Sequence, residues 1–259
     1  MNADGFAAAM TESRRLINTR IPGSRLLRKD GAAAIITGMP FAGRNGVWLE
    51  RPNPPVSAVA ALLDEITAAG VPFFFQIRPG SHAVLADIAV SRGMRFDREL
   101  TLMAVDGVVG ARAVSQVPGL SIRQIGPDEG QVHTRLVSVS FRAPEESVPY
   151  DVPEELALRT TEMLRVDGVR GYVGEVDGRP VATAIGVTSG EFTEIGNVAT
   201  DPAFRHRGFG SALAARAVTD GVRAGAAWCW LQASTDGYSI YQRLGFQTIE
   251  TWSRWESGS

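Results

Sequence analysis

The 259-residue sequence predicts an α/β fold of two units, and three observations carry that prediction. Val198 to Leu213 reads as a short strand, a turn with a proline, and a basic glycine loop that opens a helix. Two apolar runs joined around Asp177-Gly178, a strong tight-turn dipeptide, read as a hairpin between Gly171 and Val187. The early chain also echoes the late chain. Gly46-Val47-Trp48-Leu49-Glu50-Arg51-Pro52 echoes Gly196-Asn197-Val198-Ala199-Thr200-Asp201-Pro202, and Phe73-Phe74-Phe75-Gln76 echoes Cys229-Trp230-Leu231-Gln232. Gly93-Met94 with Leu100-Thr101-Leu102-Met103 echoes Gly245-Phe246 and the strand that follows.

The elements follow in order. Residues 1–105 form the first unit. Val105 to Gly119 is Gly/Ala/Val-rich with little charge and ends in Pro118-Gly119, so 106–119 reads as a linker. Residues 120–259 form the second unit. Leu120 to Ile125 alternates as a strand should. Gly126-Pro127-Asp128-Glu129 turns and caps a helix through about Phe141, and Pro153 starts a second helix through about Val166. After the hairpin, Phe192 to Thr200 is a third consecutive strand. The helix after the glycine loop reaches about Ala224, with Leu213, Ala217 and Gly221 on one face small enough to sit close to a sheet. Cys229 to Ser234 is a buried strand, and Tyr238 to Phe246 holds a short helix that stops at Gly245.

Composition narrows the function classes. Apolar content of 44% and charged content of 21% are those of an ordinary globular protein. A net charge of -2 gives no reason to expect nucleic acid or an anionic membrane as partner. No apolar run is long enough to span a bilayer, and the N-terminus lacks a basic-then-apolar signal layout. A single cysteine, Cys229, excludes an intrachain disulfide and fits a reducing compartment, so a cytoplasmic protein is expected. Cys229 lies between two tryptophans and reads as a small core residue. His82, His133 and His206 have no metal-ligand spacing, and no metal is expected. Trp48, Trp228, Trp230, Trp252 and Trp255 read as core or edge packing. Nothing in the sequence fixes an oligomeric state.

The glycine loop carries the chemistry. A helix N-terminus offers unpaired N–H donors and the positive end of a dipole. Arg205-x-x-Gly208-x-Gly210 adds glycines that let an anion approach the backbone, which suggests a diphosphate site. On the loop alone, a tight strand-to-helix turn with solvated arginines fits as well. In the first unit the corresponding turn is Asn53-Pro54-Pro55-Val56-Ser57. Its prolines have no N–H to donate, so it cannot form the same cradle.

Glycine loop, helix, strand and Tyr241-x-x-x-Gly245-Phe246, in this order and spacing, resemble the GCN5-related N-acetyltransferase (GNAT) superfamily over roughly residues 120–255. The resemblance implies two GNAT-like units of α+β type, each a mixed, mostly antiparallel sheet flanked by helices. The first unit is then degenerate and non-catalytic, or a wall of the substrate cleft. The resemblance implies acetyl-CoA as co-substrate. Its pyrophosphate falls to the backbone amides of His206, Arg207, Gly208, Phe209, Gly210 and Ser211, with charge from Arg205 and Arg207. Val198, Ala199 and Thr200 lie where the family pairs the pantetheine arm with an open strand edge. The Val198 N–H lies where the family polarises the thioester carbonyl. Tyr241 matches the family's general acid. Glu194, eleven residues before Arg205, is spaced like the glutamate base of the superfamily's histone acetyltransferases. Strand alternation places it on the face of Gly196 and Val198. A solvated or edge-protecting carboxylate remains the alternative for Glu194. Ser234 stands where a common asparagine would contact pantetheine or position the acid.

The expected activity is N-acetyl transfer to a primary amine, on a small molecule or a protein. Two alternatives stand beside it: an aminoacyl transferase on the same tandem fold, and a non-catalytic acyl-CoA sensor.

Overall fold

The structure is a computed structural model that describes residues 2–18, 20–111, 117–140 and 153–258. Its contacts divide the chain into two units. Unit 1 comprises residues 1–103, 232–238 and 248–259, and unit 2 comprises 104–231 and 239–247. Each holds the mixed, mostly antiparallel sheet with helices that the sequence predicts. Among the described residues, no helix is long and apolar enough to cross a membrane.

Unit 1 begins with α1 (Ala3–Asn18), followed by β1 (Arg25–Lys29), β2 (Ala32–Ile36) and β3 (Gly46–Leu49). Then come α2 (Val56–Ala68), β4 (Phe74–Ile77), α3 (Val84–Ser91) and β5 (Arg95–Asp106), whose last residues count with unit 2. The chain's final strand, β11 (Gln247–Glu256), also joins this sheet, and the strand order is β1-β2-β3-β4-β11-β5. β3 and β4 are parallel, joined by α2, while β1–β2, β2–β3 and β4–β11 are antiparallel. The core gathers Val47, Leu49, Leu63, Ile66, Phe75 and Leu85. A buried ion pair ties β11 to β4. Arg78, 2% exposed, grips Glu250 with two hydrogen bonds of 2.9 and 2.8 Å. Its Nη1 donates to Asp4 at 2.7 Å and to the Glu50 carbonyl at 2.8 Å.

Unit 2 opens with α4 (Gly107–Ala111), which packs on a later helix, α7 (Phe209–Arg223). The middle of the expected linker, 112–116, lies outside the described residues, as does Phe141, the expected end of the first helix. α4 explains the glycines read as linker. A Cβ on Gly110 would come within 3.0 Å of Val218 on α7, and one on Gly107 within 2.7 Å of Val222. Next come β6 (Ser121–Ile125), α5 (Gly130–Ser140), α6 (Glu154–Leu164), β7 (Val169–Val176), β8 (Arg179–Ser189) and β9 (Phe192–Thr200). α7 leads to β10 (Trp228–Ala233) and α8 (Thr235–Arg243), of which residues 232–238 count with unit 1.

The unit 2 order is β10-β9-β8-β7-β6. β9 and β10 are parallel across α7, and the other pairs are antiparallel. The hairpin turn has φ of 50° at Asp177 and 74° at Gly178, the two positive values a tight primed turn demands. α7 lies close on the sheet because it is lined with small residues. A Cβ on Gly221 would collide with the Thr193 side chain of β9. α5 packs on β8 and β9. Cys229 is buried, and burial pushes its thiol up to about 12, which makes it the inert core residue expected.

Candidate active site

The site is built where β9 stops behaving as a plain strand. β8 and β9 pair as Ile185 with Gly196, then as Thr183 with Ala199. Asn197 and Val198 together therefore stand opposite the single residue Ala184, which is a β-bulge. Asn197 takes φ of 50°, a left-handed value that asparagine tolerates better than most residues. The extra residue changes which face each side chain takes. Thr193 faces α7, and Glu194 and Gly196 face the other way. Val198 is back on the α7 face, with Cγ1 3.4 Å from where a Gly210 Cβ would stand. The expectation that Glu194 and Val198 share a face is thus overturned: a bulge breaks the two-residue alternation on which it rested.

Beyond β9, Asp201 accepts from the Ala203 N–H at 3.0 Å and holds a turn at Pro202–Phe204. The expected cradle residues then follow. His206 has φ of 62° and Gly208 has φ of 82°. Gly208 is the N-cap of α7, and no side chain caps the helix. The first N–H groups of α7, at Phe209, Gly210 and Ser211, have no partner within the helix. A Cβ at Gly210 would stand 3.4 Å from Val198 and 3.5 Å from Thr200 Oγ1. The missing side chain therefore keeps the space between the helix start and the end of β9 clear. These features fit an anion such as a diphosphate.

The arginines of the loop are not equivalent. Arg205 Nη2 donates to the Ser140 carbonyl at 2.6 Å, which satisfies the C-terminal end of α5. Its guanidinium is thus engaged in joining the loop to α5. Arg207 is exposed and lies 5.1 Å over the Phe204 ring, which Arg179 also approaches at 5.2 Å.

Tyr241 lies on α8 and is 9% exposed, with its ring edge-on to Phe246 at 5.9 Å. Burial pushes its hydroxyl up to about 12, so it carries its proton at any physiological pH. The helix ends because Gly245 takes φ of 88° and the Phe246 N–H returns to the Tyr241 carbonyl at 3.0 Å. Ser234 counts with unit 1 and caps α8, its Oγ accepting from the Gly237 N–H at 3.3 Å.

Glu194 stands directly beside Trp230 in the parallel register of β9 and β10. Glu194 Oε2 and Trp230 Nε1 are both buried without a hydrogen-bond partner. One is an acceptor, the other only a donor. Among the described residues, a Cβ placed on Gly196 would meet nothing nearer than Glu194 Oε1 at 4.0 Å.

Two residues passed over in the sequence stand at the bulge: Asn197 itself and His133 of α5, whose side chain reaches it. A Gly-Asn pair inside an apolar strand was the available signal for a bulge. His133 gave none, because its partners lie on distant strands. Among the described residues no group of three or more His, Cys, Asp or Glu is arranged to hold a metal ion.

Comparison with known proteins adds the following. Residues 134–246 match the acetyltransferase (GNAT) family. The fold resembles a GCN5-related N-acetyltransferase from Kribbella flavida, with a TM-score of 0.72 and 18% identity over 100% of this chain and 97% of that one. It also resembles one from Sphaerobacter thermophilus, with a TM-score of 0.61 and 16% identity over 98% and 93%. A tandem GNAT protein from the clavulanic acid biosynthesis pathway gives a TM-score of 0.60 and 15% identity over 99% and 95%. At such identities the likeness is one of fold. No curated protein matches the chain.

Proposed function

We propose that this chain, which carries an acetyltransferase domain of the GNAT family over residues 134–246, is an N-acetyltransferase that moves an acetyl group from acetyl-CoA to a primary amine by direct attack. The fold is one of acyl transfer from a CoA-type donor. The observation that carries the finer reading is the uncapped start of α7 at Gly208 beside the bulged end of β9, kept clear by Gly210.

In this reading the N–H groups of Gly208 to Ser211 hold the pyrophosphate, aided by the helix dipole. The loop from His206 carries them, with Arg207 supplying charge and Arg205 tying the loop to α5. Val198, Ala199 and Thr200 pair the pantetheine arm, and the Val198 N–H stabilises charge on the acyl oxygen. Glu194 takes the proton from the amine, its unpartnered oxygen being the acceptor that the amine needs. Tyr241 enters the reaction protonated and donates to the departing thiolate. Burial that raises the phenol also penalises a naked thiolate, so the two are matched only when both are out of water. Unit 1, with the same parallel crossover but prolines at the equivalent turn, is a degenerate copy that binds no CoA. The acceptor is a small-molecule or protein amine, and the work is cytoplasmic.

The test is an acetyl-CoA turnover screen across amine classes that reads free thiol. Release of thiol that depends on an amine and falls in Tyr241→Phe supports the reading. Binding of acetyl-CoA with no turnover on any amine class would make the chain a sensor instead.

A further inference from the structure

The bulge of β9 is held from behind by a chain of hydrogen bonds whose direction can be worked out. Thr183 Oγ1 lies 2.8 Å from the Tyr172 carbonyl, which can only accept, so the hydroxyl proton points there. His133 Nδ1 lies 2.7 Å from the same Thr183 oxygen and therefore donates to it. With that proton on Nδ1, Nε2 is the nitrogen that accepts from the bulge. Asn197 Nδ2 lies 3.5 Å from Nε2 and donates to it. The chain thus runs from the bulge residue to His133 on α5, through Thr183 on β8, to the backbone of β7. His133 is 2% exposed and Thr183 is fully buried, so water cannot replace either bond.

The end of this chain is the residue with φ of 50°, and the next peptide N–H is that of Val198. A left-handed residue in mid-strand is strained and persists only where its surroundings hold it. Here the side chain of the strained residue is itself tethered. The tether is separate from the start of α7, where Gly208 and Gly210 shape the anion cradle.

We propose that His133 is a positioning residue for acyl transfer: through the Asn197 side chain it holds the β9 bulge and so aims the Val198 N–H at the acyl carbonyl. The proposal rests on the reading of Val198 as the donor to that carbonyl. It assigns work to a histidine that is only 2% exposed and reaches the site through Asn197. It also separates two quantities, since losing the tether misdirects the acyl group and leaves the pyrophosphate contacts alone.

The experiment uses the full chain, acetyl-CoA labelled with ¹³C at the carbonyl, and two variants. His133→Phe keeps a ring in place and removes both nitrogens. Asn197→Gly keeps the left-handed backbone at no steric cost and removes the side chain. Each should reduce the downfield displacement of the bound carbonyl signal while the affinity for CoA itself is unchanged. Turnover with a working amine should fall about 10- to 100-fold, less than the roughly 100- to 1,000-fold that losing such a donor outright costs. The double variant should lose no more than the worse single one, because both remove one tether. Fully additive losses, or a wild-type carbonyl signal in both variants, overturn the proposal. If His133→Phe does not fold, Asn197→Gly decides alone, and a wild-type carbonyl signal there overturns it. If the wild type binds no acetyl-CoA, the functional reading is what fails. The tether is then read from the Val198 amide signal of the free protein, which must move in either variant; an unmoved signal overturns it.

Discussion

The turn from β3 into α2 and the turn from β9 into α7 follow one plan: strand, proline, helix, parallel strand. They differ in what they leave open. β3 pairs with β2 in unbroken register from Gly46 to Leu49, whereas β9 skips a step at Asn197. Gly46 lies under the Phe74 ring, which a Cβ there would strike, whereas among the described residues a Cβ on Gly196 would meet nothing nearer than Glu194 at 4.0 Å. α2 starts at Pro55 with φ of −52°, whereas α7 starts at Gly208 with φ of 82°. The same glycine thus sits under a core ring in one unit and beside a buried carboxylate in the other. The two turns differ by few residues: one extra in the strand, glycines at the helix start, and no aromatic ring on the strand glycine.

The largest expected effect falls on the open side of the comparison. Glu194→Gln keeps the shape and removes the base, so turnover should drop about 100- to 10,000-fold, the usual range for general-base catalysis. The loss should be greatest at low pH, where the amine most needs deprotonating. A pH–rate profile identical to wild type would remove Glu194 from the mechanism.

The filled side is tested by emptying it. Phe74 is 2% exposed, and Phe74→Ala should cost about 3–5 kcal/mol of stability through the cavity left behind. Denaturant midpoints measure it. CoA binding by the remaining folded protein should not gain a second site, because the β3–α2 turn still lacks its donors. A new site in this variant would mean that the ring alone closes unit 1.

How much of this was legible depends on how local each feature is. The hairpin at Asp177-Gly178, the span of β9 and the glycine loop are written in neighbouring residues, and the structure has them where the sequence predicts. The bulge left one local trace, Gly196-Asn197 inside an apolar strand, but alternation alone still assigned Val198 to the wrong face, because one extra residue flips its parity. Gly107 and Gly110 read as linker because a glycine that admits a helix and one that loosens a chain look alike. The grip of Arg205 on Ser140 and the pairing of β11 with β4 through Arg78 and Glu250 join residues 65 and 172 apart. No local pattern announces such contacts.

Tyr241→Phe should lower kcat roughly 10- to 1,000-fold, or about 1.4–4 kcal/mol of barrier. The CoA dissociation constant should hold, because the contact strengthens only as charge develops on sulfur. Wild-type turnover with chemistry rate-limiting would leave Tyr241 a packing residue. The smallest effect is on alkaline stability. Burial holds Tyr241 at about 12, above the roughly 10 of an unfolded tyrosine. The resulting stability is complete below about pH 10 and is lost as pH rises through about 12. Tyr241→Phe should make that alkaline decline shallower in thermal melts, and an unchanged slope would place the hydroxyl in water.

On the proposed reading, the β9–α7 turn holds the diphosphate of an acyl-CoA and the β3–α2 turn does not. Calorimetric titration of acetyl-CoA into the wild type and into Gly208→Val tests this directly. The wild type should bind one equivalent per chain. Gly208→Val, which forces a β-branched side chain onto a backbone with φ of 82°, should remove that binding while the fold persists. Two equivalent sites in the wild type, or unchanged affinity in the variant, would contradict the account.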